Sequence, residues 1–88
     1  MKSYQNVRST LESCFSIQAE RSEEDEKAAY MREYYANPDL RLEIKNLFLD
    51  ESVNWRELLF NKNYEVYEAD SEEEAREFAR EILIQYPV

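Results

Sequence analysis

The sequence predicts a mostly helical domain of the α+β class, with four to five short amphipathic helices and one or two short strands. Three observations lead to this prediction. The chain has 88 residues, enough for one hydrophobic core but not for two, so residues 1–88 are expected to form a single domain. Apolar residues recur at spacings of three and four, as they do in amphipathic helices. Capping residues and prolines then divide the chain into short segments.

The first helix is predicted within residues 3–19, where five apolar positions form one stripe. Residues 13–19 also alternate partly between polar and apolar side chains, so a short strand there is an alternative. The stripe consists of Tyr4, Val7, Leu11, Cys14 and Phe15.

The second and third helices are predicted from their start signals. Ser22 precedes three acids and has the character of an N-cap, since acids in a first turn complement the helix dipole. This helix runs to about Ala36. Asn37 and Pro38 then break the chain and suit a new start, with proline at the first helical position. The third helix should end near Leu49.

A short fourth helix is expected around the apolar patch at residues 53–60, capped by Asp50 or Ser52. The turn at residues 61–63 contains two asparagines. Because the chain has no glycine, left-handed backbone positions are expected mainly at asparagines.

Residues 64–69 are rich in strand-forming side chains and are predicted to be a short strand. An isolated strand leaves backbone groups unpaired. It could pair with residues 13–19 or with the same strand of a second copy, giving a homodimer; internal pairing, or a loop-like extended segment, is favoured. Ser71 and Glu74 then form a capping box, and the last helix continues until Pro87 stops it.

The composition argues against most catalytic and cofactor sites. The chain has no histidine and no glycine, which removes the usual general base and the glycine-rich nucleotide-binding loops. Neither of the two acidic clusters, at residues 23–26 and 70–74, has the pattern of a calcium-binding loop. The single cysteine, Cys14, is expected to be a buried structural thiol. We therefore predict no enzymatic activity, no cofactor and no metal.

Net charge narrows the class of expected partners, and hydropathy narrows the expected location. The net charge is −9, which disfavours direct binding to nucleic acid or to anionic membranes. No apolar run approaches the roughly 20 residues that span a bilayer, and the N-terminal segment does not resemble a signal peptide. The expected location is the cytoplasm, and the expected partner is a basic protein.

The acidity is concentrated in two segments. Residues 20–27 carry a net charge of −3 and residues 65–81 a net charge of −6. Acids in the first turn of a helix explain part of this charge, but the glutamates spaced four residues apart along the last helix repel one another. We predict that seven residues of the second segment form a partner-binding surface. They are Glu65, Tyr67, Glu68, Asp70, Glu73, Glu77 and Glu81.

The leading hypothesis, by analogy of size and charge, is an acidic module that neutralises or regulates a basic protein, as immunity proteins, antitoxins and nuclease inhibitors do. One alternative is a structural or assembly protein that self-associates through the strand at 64–69 or through a face formed by Tyr30 and Tyr34. Another is a nucleic-acid mimic that blocks a DNA-binding protein.

Overall fold

Five α-helices make up the fold in residues 4–17 and 20–87, the part of the chain that the computed structural model describes. Helices α1 and α5 each continue into a π-helical turn, at Leu11–Phe15 and Glu81–Gln85. The mostly helical architecture is as predicted. The helices are α1 (Gln5–Thr10), α2 (Glu23–Ala36), α3 (Pro38–Leu49), α4 (Trp55–Leu59) and α5 (Glu72–Arg80).

Three of the predicted helix starts are confirmed by their capping hydrogen bonds. The Ser22 hydroxyl accepts from the Asp25 N–H at 3.2 Å. The Asn37 side chain accepts from the Leu40 N–H at 3.2 Å, directly before Pro38. At the start of α5, the Ser71 hydroxyl accepts from the Glu74 N–H at 3.1 Å. The other half of the predicted capping box does not form, because the Glu74 carboxylate accepts from the Tyr67 hydroxyl instead.

The cap of α4 differs from the prediction. Asn54 is the N-cap, and its side chain accepts from the Glu57 N–H at 3.2 Å. Asp50 Oδ1 instead accepts from the backbone N–H of Ser52 at 2.8 Å, which makes a local turn before the helix. Short polar side chains compete for such roles, and Asn54 stands next to the apolar run that becomes buried.

Residues 64–69, all of them described, form one antiparallel bridge, between Phe60 and Glu65, and not the expected strand. Tyr64 and Ala69 are only 3% and 2% exposed. In a strand these two positions would point to opposite faces, so burying both in one core requires the backbone to bend. The segment is the loop-like extended alternative.

Within the described residues of the two segments, a backbone hydrogen bond runs from the Ile17 N–H to the Glu65 carbonyl at 2.7 Å. The helical turn that follows α1 continues to Phe15, so the strand alternative is wrong for residues 13–15. Residues 18 and 19 lie outside the described part of the chain.

Left-handed backbone conformations occur at unexpected positions. Among the described residues, positive φ angles are found at Tyr4 (50°) and Glu20 (53°), and the prediction that asparagines would hold them is wrong. Asn61 supports its turn with its side chain, whose oxygen accepts from the Asn63 and Tyr64 N–H groups at 2.9 and 3.2 Å. Such an Asx turn reverses the chain without a positive φ.

The buried apolar side chains form one contiguous cluster. Helix α3 packs against α1 and α2, and α4 packs against α5. Cys14 lies in this cluster, and burial raises the pKa of its thiol. Within the described ranges, no helix is long and apolar enough to cross a membrane. The largest fully buried side chains are Val7, Leu11, Tyr30, Leu40, Leu47, Leu58, Leu59 and Leu83.

Candidate acidic interface

Five of the seven predicted partner-binding residues are exposed, and two are half-buried. Glu65 is half-buried and takes part in the bridge to Phe60. Tyr67 is also half-buried. The exposed residues are Glu68, Asp70, Glu73, Glu77 and Glu81.

Helix α5 presents a row of carboxylates on its outer side. Glu73, Glu77 and Glu81 are all exposed. They follow one another at four-residue intervals, about 6 Å of helix rise per step. The inner side of α5 carries Ala75 and Ala79, which are fully buried. The helix therefore places one side in the core and the glutamate row in solvent.

Tyr67 is fixed against α5. Its ring stacks on Phe78, with centroids 4.2 Å apart and planes 7° from parallel. Its hydroxyl donates to Glu74 Oε1, and this hydrogen bond, together with partial burial, raises the pKa of Tyr67. Tyr67 is therefore held against α5 by its ring, and its hydroxyl is already bound by Glu74.

Glu72 has a structural role that the sequence pattern does not reveal. Its two carboxylate oxygens accept from the Trp55 and Arg56 N–H groups at 2.7 and 3.0 Å. It thereby completes the capping of α4, whose next amide is bound by Asn54. This glutamate is used inside the fold, and its charge is not available in full to a partner.

Glu72 and Arg76 are four residues apart, a spacing that favours an ion pair on a helix, but they do not form one. The Arg76 guanidinium carbon lies 5.8 and 5.9 Å from the ring centroids of Phe48 and Trp55, in cation–π contacts. Among the described residues, the ion pair that forms joins Arg8 to Glu57 at 2.8 Å. Arg76 is half-buried and therefore does little to neutralise the outer face of α5.

The two acidic segments, which are far apart in sequence, meet at Tyr86. Burial raises the pKa of the Tyr86 hydroxyl, and Glu23, Glu81 and Glu26 raise it further through their charges. Lys27 Nζ lies 5.1 Å from the centroid of the Tyr86 ring. The start of α2 and the end of the α5 row thus meet in one region around Tyr86, where three acids face a single nearby lysine.

We call this region the acidic surface. It joins the exposed residues of the predicted set to the start of α2. It consists of Glu68, Asp70, Glu73, Glu77 and Glu81 together with Glu23 and Glu26.

A shallow groove of about 400 Å³ adjoins the acidic surface at Glu68. Phe60 lies on its wall and is exposed. Glu68 and the Phe60 ring offer contacts for the charged tip and the apolar stem of a lysine or arginine, and Arg56 in the same lining offsets part of this attraction. Its lining residues are Asn54, Arg56, Glu57, Phe60, Glu68, Ala69 and Glu72.

Within residues 4–17 and 20–87, no group of three histidine, cysteine, aspartate or glutamate side chains is arranged to hold a metal ion. No family model, no curated protein and no solved structure matches this chain. The chemistry of the acidic surface therefore has to be inferred from its own residues.

The sequence pattern was sufficient to identify the α5 row, because helical periodicity separates its exposed and buried positions. It missed the contribution of Glu23 and Glu26. No signal in a single sequence joins these residues to Glu81, since their proximity depends on how the last helical turn packs against α2.

Proposed function

We propose that this chain is a non-enzymatic binding module that neutralises or regulates a basic partner protein through the acidic surface. The observation that carries the proposal is the row formed by Glu73, Glu77 and Glu81. All three are exposed, and none forms an ion pair with a described residue. Like charges four residues apart destabilise a helix by a few tenths of a kcal/mol per pair, at roughly 0.2–0.5. A binding role accounts for a row that stability disfavours.

Neighbouring acids of α5 support a binding role for the row, because their own charges are used inside the fold. Glu72 caps α4 and Glu74 accepts from Tyr67, so both contribute to the fold. The outer row contributes no such contact within the described residues. Unpaired carboxylates on one face produce a field that attracts a basic partner and speeds its approach.

The proposed mode of binding has two parts. The α5 row and the start of α2 steer the partner, and the groove beside Glu68 and Phe60 receives one of its basic side chains. Small size and high negative charge are shared with immunity proteins, antitoxins and nuclease inhibitors, and we place the chain in this functional class. We also propose that it acts in the cytoplasm, because a chain with a single cysteine does not rely on an internal disulfide for stability, which suits a reducing compartment.

Self-association through residues 64–69 or through a face formed by Tyr30 and Tyr34 receives less support. Tyr30 is fully buried, and its hydroxyl donates to the Leu83 carbonyl at 2.5 Å. It therefore offers no surface to a second copy. Residues 64–69 fold back on α4, where the Val66 and Tyr67 N–H groups donate to the Leu59 carbonyl at 2.8 and 3.2 Å.

The test begins with a partner captured from native lysate on the immobilised chain, and then measures its association kinetics. The triple variant E73K/E77K/E81K should fold normally and associate at least tenfold more slowly at low ionic strength, because steering typically contributes about 10- to 1000-fold to association rates. The matched control is E12K/E33K/E51K, which makes the same charge change at three exposed positions outside the acidic surface.

The two variants together decide the outcome. We expect the control to change the association rate less than the α5 variant does. Equal slowing by both would show that only net charge matters, and no slowing by either would rule out the acidic surface as the binding site. Competition by duplex DNA for the captured partner would identify the chain as a nucleic-acid mimic.

A further inference from the structure

The outer face of α3 carries exposed apolar side chains that no described element covers. Leu42 and Leu49 are 58% and 73% exposed. They are seven residues apart, about two helical turns, and therefore lie on the same side of the helix. Tyr35, at the end of α2, is 61% exposed and precedes the Asn37 cap of α3 by two residues. These residues, with Asp39 and Lys45, form what we call the α3 stripe.

The α3 stripe is electrically balanced. Asp39 and Lys45 stand three residues before and after Leu42, and both are exposed. Neither forms an ion pair with any residue in the described ranges. The acidic surface, in contrast, has seven acids against the nearby cations Lys27 and Arg80.

The other two charged side chains of α3 near the stripe are engaged within the fold. Arg41 donates to the carbonyl oxygens of Tyr34 and Tyr35 at 2.6 and 3.1 Å. Glu43 accepts from the side chain of Asn6 and from the Val7 N–H. Both therefore support the contacts of α3 with its neighbours and leave Asp39 and Lys45 as the free charges of this face.

We propose that the α3 stripe is a docking surface for a second copy of this chain. A two-fold axis at Leu42, with the two α3 helices antiparallel, brings Leu42 against Leu42 of the other copy. It also places Asp39 at the same level along the helix as Lys45 of the other copy, and the reverse. This is the self-complementary pattern that a two-fold interface requires.

The same arrangement accounts for the two ends of the stripe. Leu49 of one copy reaches the level of the first turn of α3 in the other copy, next to which Tyr35 is exposed with its hydroxyl held by the Pro87 carbonyl. Leu49 lies in an open groove of about 710 Å³ between the end of α3 and Asp50, Glu51 and Ser52. This groove has room for the aromatic ring.

Electrostatics favours a second copy over a basic protein at this face. Two chains of charge −9 repel one another over most of their surfaces, and the balanced α3 stripe is a face through which they can approach. A basic protein is attracted to the acidic surface instead. The face of one short helix is smaller than the roughly 800 Å² per partner of a stable interface, so the dimer is weak and concentration-dependent.

The test is sedimentation velocity of the full chain over a wide range of concentration. We expect a monomer at about 10 µM and a growing dimer fraction on the order of 100 µM to 1 mM, as for a small interface. L42E should remove the dimer while circular dichroism stays unchanged, because Leu42 is exposed. A monomer throughout this range, or a dimer that L42E leaves intact, would overturn the proposal.

Exchanging the two charges tests the arrangement itself. D39K and K45D should each weaken the dimer at least threefold, since each places like charges at the same level. The double variant D39K/K45D should restore it, because each copy again matches the other. R80D makes the same charge change as K45D on exposed α5 and should weaken the dimer less. Failure of the double variant to recover, or equal weakening by R80D, would contradict this geometry.

Discussion

The starts of α2 and α5 have nearly the same local sequence and different structural roles. Each begins with a serine cap followed by three acids, in residues 22–25 and 71–74. At α5, Glu72 binds two amides of α4 and Glu74 accepts from Tyr67. At α2, Glu23, Glu24 and Asp25 are all exposed. At α5 the pattern therefore joins the helix to α4 and to Tyr67 through hydrogen bonds, whereas at α2 the acids stay exposed and Glu23 acts on Tyr86 mainly through its charge.

The two helix starts also differ in how soon a buried residue follows the acids. Ala75, directly after the acids of α5, is fully buried. In α2 the first buried residue is Ala29, well inside the helix. The first turn of α2 can consequently open without exposing the core, whereas the first turn of α5 cannot.

The largest difference is expected from removing one acid at each start. Glu72→Ala should lower the free energy of unfolding by about 2 kcal/mol, because it removes two hydrogen bonds to a charged acceptor. A helix as short as α4 also cannot persist without its caps. Glu24→Ala, at an exposed position of α2, should change stability by less than about 0.5 kcal/mol. Urea denaturation measures both values.

Glu72→Gln refines this comparison, because the amide keeps one acceptor oxygen and loses the charge. An intermediate loss of stability is expected. Equal effects of the Glu72 and Glu24 substitutions would show that the acid of α5 acts only through its own helix, and the contrast between the two starts would fail.

A smaller difference is expected from the serine caps. Ser71→Ala should destabilise the whole fold by about 1 kcal/mol, the usual cost of losing an N-cap. Ser22→Ala should cost less global stability, because the first turn of α2 can open alone. It should instead speed amide hydrogen exchange in that turn. A global loss equal to that of Ser71→Ala would show that the start of α2 is coupled to the core.

The features that could be predicted from the sequence are those determined by neighbouring residues. The last helix follows from the Ser71 cap, the three-and-four spacing of its apolar residues and the stop at Pro87. The exposure of Glu73, Glu77 and Glu81 follows from the same spacing. In each case the information lies within a few turns of one helix.

The features that could not be predicted depend on packing between distant segments. Residues 64–69 have side chains suited to a strand, yet the core accepts both Tyr64 and Ala69, and burial overrides that preference. The approach of Glu23 to Tyr86 and the use of Glu72 by α4 are likewise set by tertiary contacts. The sequence therefore predicted five of the seven residues of the acidic surface and missed its extension to α2.

The smallest expected effect concerns the tyrosine beside each acidic start, Tyr67 near α5 and Tyr86 near α2. The pKa of each is raised above the ordinary value, for Tyr67 chiefly by its hydrogen bond to Glu74 and for Tyr86 chiefly by burial. An unfolded tyrosine ionises near pH 10. As the pH rises above that value, the unfolded chain releases protons that the folded chain retains, so the free energy of unfolding falls.

Because the causes differ, removing one acid should act unequally on the two rings. Glu74→Gln should lower the pKa of Tyr67 clearly, since it removes the charged acceptor that holds the proton. Glu23→Gln should lower the pKa of Tyr86 less, because burial remains. Carbon-13 NMR of the tyrosine Cζ atoms against pH gives both values. A larger shift at Tyr86 would mean that the start of α2 holds its neighbour through a charged contact as strong as that at α5.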